Sequence, residues 1–339
     1  MTTPAPQVPV PPSFIPSAPV AATPVPRALP ADAVTGGLAF HRLLFARRRS
    51  GWWTPLATGA LGLAIYFGFL LVVIIAAVIA TFRDPGRLDS LARLSDSGGV
   101  DMGDPLLVAL LLGTIALMLP SYLLASLVVN GRRVGLISSA AGRLRWRWML
   151  QCTGVAVALS LVLSAVSLLL PSEGDTPATA PNALWPLVLV LVIVLVPVQA
   201  AAEEYVFRGY LMQSIGRWLR HPAFAILLPV PLFVLGHTYD VLGQTGVGLF
   251  AVAAGWLTWR TGGLEAAIAL HVVNNLSAFL LALAAGSNPT ESTTDVVSFL
   301  WSFLLIGGYV GVVEWMLRRR PLPRTLVLAP PMPMMAPAH

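Results

Sequence analysis

The stretch AAEEYVFRGY, Ala201 to Tyr210, places two adjacent carboxylates, Glu203 and Glu204, near the end of the otherwise almost wholly apolar run Leu187 to Ala202. Arg208 follows one helical turn later. An acidic side chain at bilayer depth costs roughly 2.5–3.5 kcal/mol or more, so a pair persists only where something compensates it. Glu204 and Arg208 are four residues apart and share a helix face, so they can partly neutralise each other. Glu203 is turned about 100° away, toward a different neighbour. The other strongly polar residues within apolar runs are His237, His271, Asn274 and Asn275. His271 and Asn275 stand at i,i+4 and project together. A carboxylate in a low-dielectric pocket can act as a general base, and imidazole and carboxamide donors fixed on one helix face suit a developing oxyanion.

Each cluster read alone has a structural explanation. Twin glutamates beside an arginine can mark a helix end at the interface, and intramembrane His and Asn can be interhelical hydrogen-bonding residues. Glu265 and Glu314 are read as structural, the first in the opening turn of a helix whose dipole favours a carboxylate, the second paired with Arg318 at i,i+4. What favours chemistry is common depth. Counted from the nearest flanking arginine at about 1.5 Å per residue, Glu203 lies roughly 21 Å in, His237 roughly 25 Å and His271 roughly 16 Å, on three separate helices.

The elements that must hold these groups are membrane spans. The chain of 339 residues is 56% hydrophobic and 11% charged, with a mean hydropathy of +0.78, outside the range of soluble domains. Cys152 is the single cysteine, which excludes a disulfide framework or a thiol metal cluster. All 21 basic residues are arginine, and the net charge of +6 is spread over short loops, which membrane topology explains without nucleic acid. The reading is an all-α membrane protein with about eight transmembrane helices and both termini inside. The spans are expected near Pro55–Ala80, Pro105–Val129, Met149–Leu170, Leu184 onward through Pro197, Ala223–Tyr239, Val241–Trp259, Gly263–Ala284 and Val296–Trp315. That arrangement puts 17 of the 21 arginines in the cytoplasm, with Arg83, Arg87 and Arg93 outside and Arg208 in the membrane. Residues 1–36 read as a disordered Pro/Ala-rich cytoplasmic tail, 37–54 as a basic juxtamembrane segment, 55–317 as the membrane domain and 318–339 as a Pro-rich cytoplasmic tail. No internal repeat of the transporter kind is visible.

EEYVFRG (Glu203 to Gly209), Phe233-x-x-x-His237 and His271-x-x-x-Asn275, in that order, resemble the three motifs of the CPBP family of intramembrane proteases, which includes type II CAAX prenyl proteases and bacterial Abi proteins. The resemblance covers about residues 184–280 and departs from the family in the proline-rich LLPVPLFVLGH before His237. It implies peptide hydrolysis without metal or other cofactor, in a polar cavity opening to the cytoplasm. By position, Glu203 would activate water, His237 would orient it, His271 and Asn275 would bind the oxyanion, and Glu204 with Arg208 would support the site. The substrate would be a membrane-associated peptide or protein, and the location a bacterial cell membrane. Two other readings remain open: a zinc hydrolase using Glu and two His, although no His-Glu-x-x-His spacing occurs, and a non-catalytic scaffold, immunity protein or proton-coupled transporter.

Overall fold

The computed structural model describes residues 29–84, 86, 102–167, 169, 183–285, 294, 296–320 and 322–328. Residues 1–28 of the expected tail, Arg87, Arg93, the acidic loop at 171–182, the polar loop at 286–293 with Glu291, Asp295, and 329–339 lie outside the described residues.

The described chain is nearly all helical. We number its α-helices α1 Thr54–Arg83, α2 Pro105–Ala116, α3 Met118–Asn130, α4 Trp146–Ser167, α5 Trp185–Glu204, α6 Met212–Trp218, α7 Pro222–Leu227, α8 Pro229–Leu235, α9 Val241–Thr261, α10 Glu265–Ala285 and α11 Val296–Arg319. Among the described residues, seven helical spans are long and apolar enough to cross a membrane: α1, α2 with α3, α4, the run Trp185–Trp218 containing α5 and α6, α9, α10 and α11. The crossing expected at Ala223–Tyr239 is instead two short helices over Pro222–Leu235. Its six- and seven-residue pieces meet at Pro229, where the missing N–H removes a ladder bond. At about 1.5 Å per residue the whole piece is short of the ~30 Å hydrocarbon thickness.

Helix ends follow local chemistry. Pro186 and Pro222 occupy first turns, where a missing N–H costs nothing. The Asp240 carboxylate caps α9 by accepting from the Gly243 amide at 2.8 Å. Gly262 closes α9 at φ 70°, the left-handed geometry that glycine adopts without strain. Directly after Glu204 the backbone widens into a π-helix over Tyr205–Leu211 before α6 resumes α geometry. Residue spacing gives no sign of this widening, and such segments concentrate at functional sites.

α10 is the central post, packed between α4 and α5 and also against α9, while α1 lies against α3, α2 against α5, and α11 against α4 and α9. α1 turns much of its surface outward, with Phe67, Val72 and Ile74 exposed as lipid-facing residues would be.

The arginine-rich end is more ordered than expected. Ala31–Ala33 form a 3-10 turn inside the stretch read as disordered, Leu38–Ala39 pair antiparallel with Thr325–Leu326, and the 3-10 helix Phe40–Ala46 packs on α6. Arg42 and Arg47 are buried there rather than free surface charges. Arg42 Nε donates to Asp32 at 2.8 Å, and Arg47 Nη2 donates to the Ser126 and Gly131 carbonyls. Glu265 stands in the first turn of α10, as expected, and both edge carboxylates have arginine partners that the sequence reading did not name. Glu265 is fully buried and bidentate on Arg145 (2.6 and 2.9 Å), and Glu314 is bidentate on Arg260 (both 2.7 Å), not paired to Arg318. Both are distant in sequence, which is why i,i+4 reasoning missed them.

Candidate active site

α5 delivers the acidic pair. Glu204 is fully buried, and its Oε1 accepts from Arg208 Nη1 and from His271 Nδ1, each at 2.8 Å. The π-helical turn carries Arg208 back beneath the pair. Arg208 also donates to the Ala251 carbonyl at 3.2 Å, and its guanidinium lies 4.4 Å above the Phe233 ring and 5.7 Å from that of Phe250. Contacts of that length to an aromatic face are cation–π interactions, strongest where water is absent. The expected Glu204–Arg208 pair therefore forms, with an aromatic bed that spacing alone did not reveal.

Glu203 turns toward the other nitrogen of the same imidazole, its Oε2 standing 3.2 Å from His271 Nε2. Among the described residues that buried oxygen has no hydrogen-bond partner, and neither does Glu204 Oε2. One imidazole on α10 thus sits between two carboxylates on α5, and both of its nitrogens are directed at acids. His271 is not a free donor in this arrangement. The ring is held edge-on by Phe250 and Phe233, with centroids 4.8 and 6.1 Å away.

His237 and Asn275 come to the same place on different terms. His237, just past the end of α8, donates from Nδ1 to the Phe233 carbonyl at 2.8 Å, because that carbonyl can only accept. In the neutral ring this leaves Nε2 as an acceptor. Asn275 donates to Gln199 Oε1 at 3.2 Å and accepts from Asn274 at 3.2 Å. Gln199, 5% exposed and one turn before Glu203, is a site residue that sequence reading passed over. Its i,i+4 relation to Glu203 was the available signal.

A cavity of about 210 Å³ adjoins these groups, lined by His237, His271, Asn274 and Asn275 with Phe233, Phe250 and residues of the first halves of α9 and α11. Glu203 and Glu204 are outside its lining and reach it through His271. The cavity runs from His271 toward Tyr239, Leu242, Gly243 and Thr294, the end of the bundle opposite Arg260 and Arg318. Among the described residues no group of three or more His, Cys, Asp or Glu is arranged to hold a metal ion.

The family model described as Rce1-like, type II CAAX prenyl endopeptidase, matches residues 183–277. Uncharacterized protein YyaK of Bacillus subtilis (strain 168) is 33% identical over 95 residues, which are 26% of this chain and 32% of that protein. The chain therefore aligns with only about a third of this relative's length. No solved structure matches the chain.

Proposed function

From the Rce1-like type II CAAX prenyl endopeptidase domain at residues 183–277 of an integral multi-pass membrane protein, we propose that the chain is an intramembrane endopeptidase that uses a glutamate-activated water and no metal. The observation that carries this reading is the buried row Glu203, His271, Glu204, Arg208, each linked to the next at 2.8–3.2 Å, beside a cavity that also receives His237 and Asn275.

In this reading Glu203 is the general base. It takes a proton from water as the oxygen attacks the scissile carbonyl, and returns that proton to the amide nitrogen as the C–N bond breaks. His237 Nε2 accepts a hydrogen bond from the same water and orients it. Asn275 keeps a second N–H after bonding Gln199, and that N–H faces the carbonyl oxygen as it gains charge. His271, held between the two glutamates, serves better as a shared-proton bridge that positions Glu203 than as an oxyanion donor. Glu204 and Arg208 fix the bridge from behind. The substrate is a membrane-associated peptide or protein, and the location is a bacterial cell membrane.

Purified protein in bilayer nanodiscs, assayed on a membrane peptide library, tests this directly. Glu203→Gln should keep the melting profile and lose cleavage, and prior treatment with a chelator should leave the rate of the unaltered protein unchanged. Cleavage retained by Glu203→Gln would remove the base from the mechanism. Stoichiometric zinc lost together with activity would replace it with the metal reading.

A further inference from the structure

A second recess, of about 660 Å³, lies between α7, α9 and α11 and shares only Ile306 with the cavity beside His271. Its two long walls are matched stripes. On α9, Leu249, Ala253 and Trp256 recur at helical spacing and lead to Arg260; on α11, Phe303, Gly307 and Val310 do the same and lead to Glu314 and then Arg318. Leu249, Trp256 and Phe303 are exposed, so the recess faces the surroundings of the bundle. Arg260 and Glu314 join the stripes through two contacts of 2.7 Å, and Trp256 Nε1 donates to Glu314 at 3.2 Å. The recess is therefore bounded at its arginine-rich end by a neutral pair, with His221 at the start of α7 opposite.

The dimensions fit one leaflet. From Leu249 to Trp259 the recess follows α9 for roughly 15 Å at about 1.5 Å per residue, half of a hydrocarbon core of about 30 Å. Trp256 and Trp259 then stand at the level where aromatic side chains meet headgroups. Two exposed arginines flank this end: Arg318, one turn beyond Glu314, and Arg220, the residue before His221. Spacing pairs Glu314 with Arg318, but Arg260 takes that carboxylate, and among the described residues neither Arg318 nor Arg220 has an acidic partner. The acids of this end are engaged elsewhere, Asp32 on Arg42 and Glu265 on Arg145. A zwitterionic headgroup would bring its own cation to two arginines with no free carboxylate beside them, so the charge favours a lipid that is negative overall.

We propose that this recess binds an anionic phospholipid of the arginine-side leaflet, with one acyl chain between α9 and α11 and the phosphate held by Arg220 and Arg318. Both guanidinium groups donate charge-assisted hydrogen bonds to the phosphate oxygens. Ile306 walls the recess on one side and the cavity beside His271 on the other, so the bound chain packs against the back of the site. The lipid site is independent of the hydrolytic mechanism, and its test needs no cleavage.

Full-length protein in nanodiscs of phosphatidylcholine and phosphatidylglycerol is released into a native mass spectrometer, and the lipids that stay bound are counted. The bound ratio of phosphatidylglycerol to phosphatidylcholine should exceed the bilayer ratio roughly thirtyfold, as about 1 kcal/mol from each of two arginines produces. Arg220→Gln combined with Arg318→Gln, both at exposed positions that tolerate substitution, should return it to the bilayer ratio. Gly307→Leu tests the chain end of the site. Nothing lies within 4 Å of a Cβ added at Gly307, so leucine enters the recess without displacing a neighbour, and retention of phosphatidylglycerol should fall while the melting temperature holds. A bound ratio equal to the bilayer ratio in the unaltered chain would mean ordinary solvating lipid and would overturn the proposal. Retention unchanged by Gly307→Leu, or by the paired arginine substitutions, would place the lipid elsewhere and overturn it equally.

Discussion

In the proposed mechanism His271 is the central group, because a single ring separates two adjacent carboxylates of one helix. The arrangement depends on Arg208, which among the described residues is the one arginine paired with Glu204. Removing one member of a buried pair typically costs about 3–5 kcal/mol, since the other is left charged and unpaired. Arg208→Ala should therefore fold poorly, seen as a large drop in melting temperature in nanodiscs. Arg208→Lys should recover part of the stability and little of the activity, because a point charge cannot bond Glu204 and the Ala251 carbonyl while lying flat over Phe233. Equal activity of the Arg208→Lys variant and the unaltered chain would contradict this. Gln199→Leu is milder: it should keep the fold and lower kcat by less than the roughly 10²–10³ that loss of an oxyanion donor costs, with KM little changed. What sequence made legible at this level was local spacing. Glu204 with Arg208, and His271 with Asn275, share faces whatever the rest of the molecule does. Gln199 on Asn275, Arg145 on Glu265 and Arg260 on Glu314 are contacts between distant segments, and periodicity carries no information about them.

Among the elements, the least anticipated is the cap at the arginine-rich end. Its tightest point is Gly216 on α6, where an added Cβ would run into the backbone carbonyl of His41. Backbone cannot yield as a flexible side chain does, so Gly216→Ala should cost about 1–3 kcal/mol, the usual range for overpacking, and lower the melting temperature while leaving the cavity intact. Wild-type stability in that variant would show that the cap is not rigidly seated. The same contact brings His41 into play. It is 2% exposed, Nε2 donates to the Arg220 carbonyl at 3.0 Å, and among the described residues buried Nδ1 has no partner. Burial, with Arg42 adding to it against the opposing effect of the Arg220 carbonyl, holds its pKa below the usual histidine value. The folded form therefore binds its proton less readily than the unfolded chain. Stability from this group is complete above about pH 6.5 and declines as pH falls below it. His41→Gln should flatten the melting temperature between about pH 7 and 5. An unchanged slope would place the pH dependence elsewhere. Composition marked residues 37–54 only as a basic juxtamembrane segment, because burial of Arg42 and Arg47 depends on carbonyl partners that composition does not reveal.

Across the whole molecule, hydropathy marked most of the architecture, since seven of the expected spans appear as long apolar helices. The exception lies where prolines interrupt the apolar run: Pro222–Leu235 is two short helices and not one long one, and residues 236–240 complete the passage from Arg220 in the cap to Asp240 at the start of α9. That break is useful to the site, because it ends α8 beside Phe250 and His271 and so delivers His237 to the cavity wall. The depth count from sequence could set the three clusters at similar levels, but not decide which side of the bundle the cavity faces, because that depends on how tightly the other side packs.

The pairing of Leu38–Ala39 with Thr325–Leu326 also sets an order of events during synthesis. The first of these strands leaves the ribosome before α1 has been made, and its partner emerges only after α11. Until then Leu38 and Phe40 are covered only from the Leu136, Met212 and Leu264 side of their cluster, and the strand edge at Leu38–Ala39 lacks its partner. The cap is thus the last part of the described chain to close, and a nascent protein released before Thr325 would present that unsealed face to the quality-control machinery of the cell.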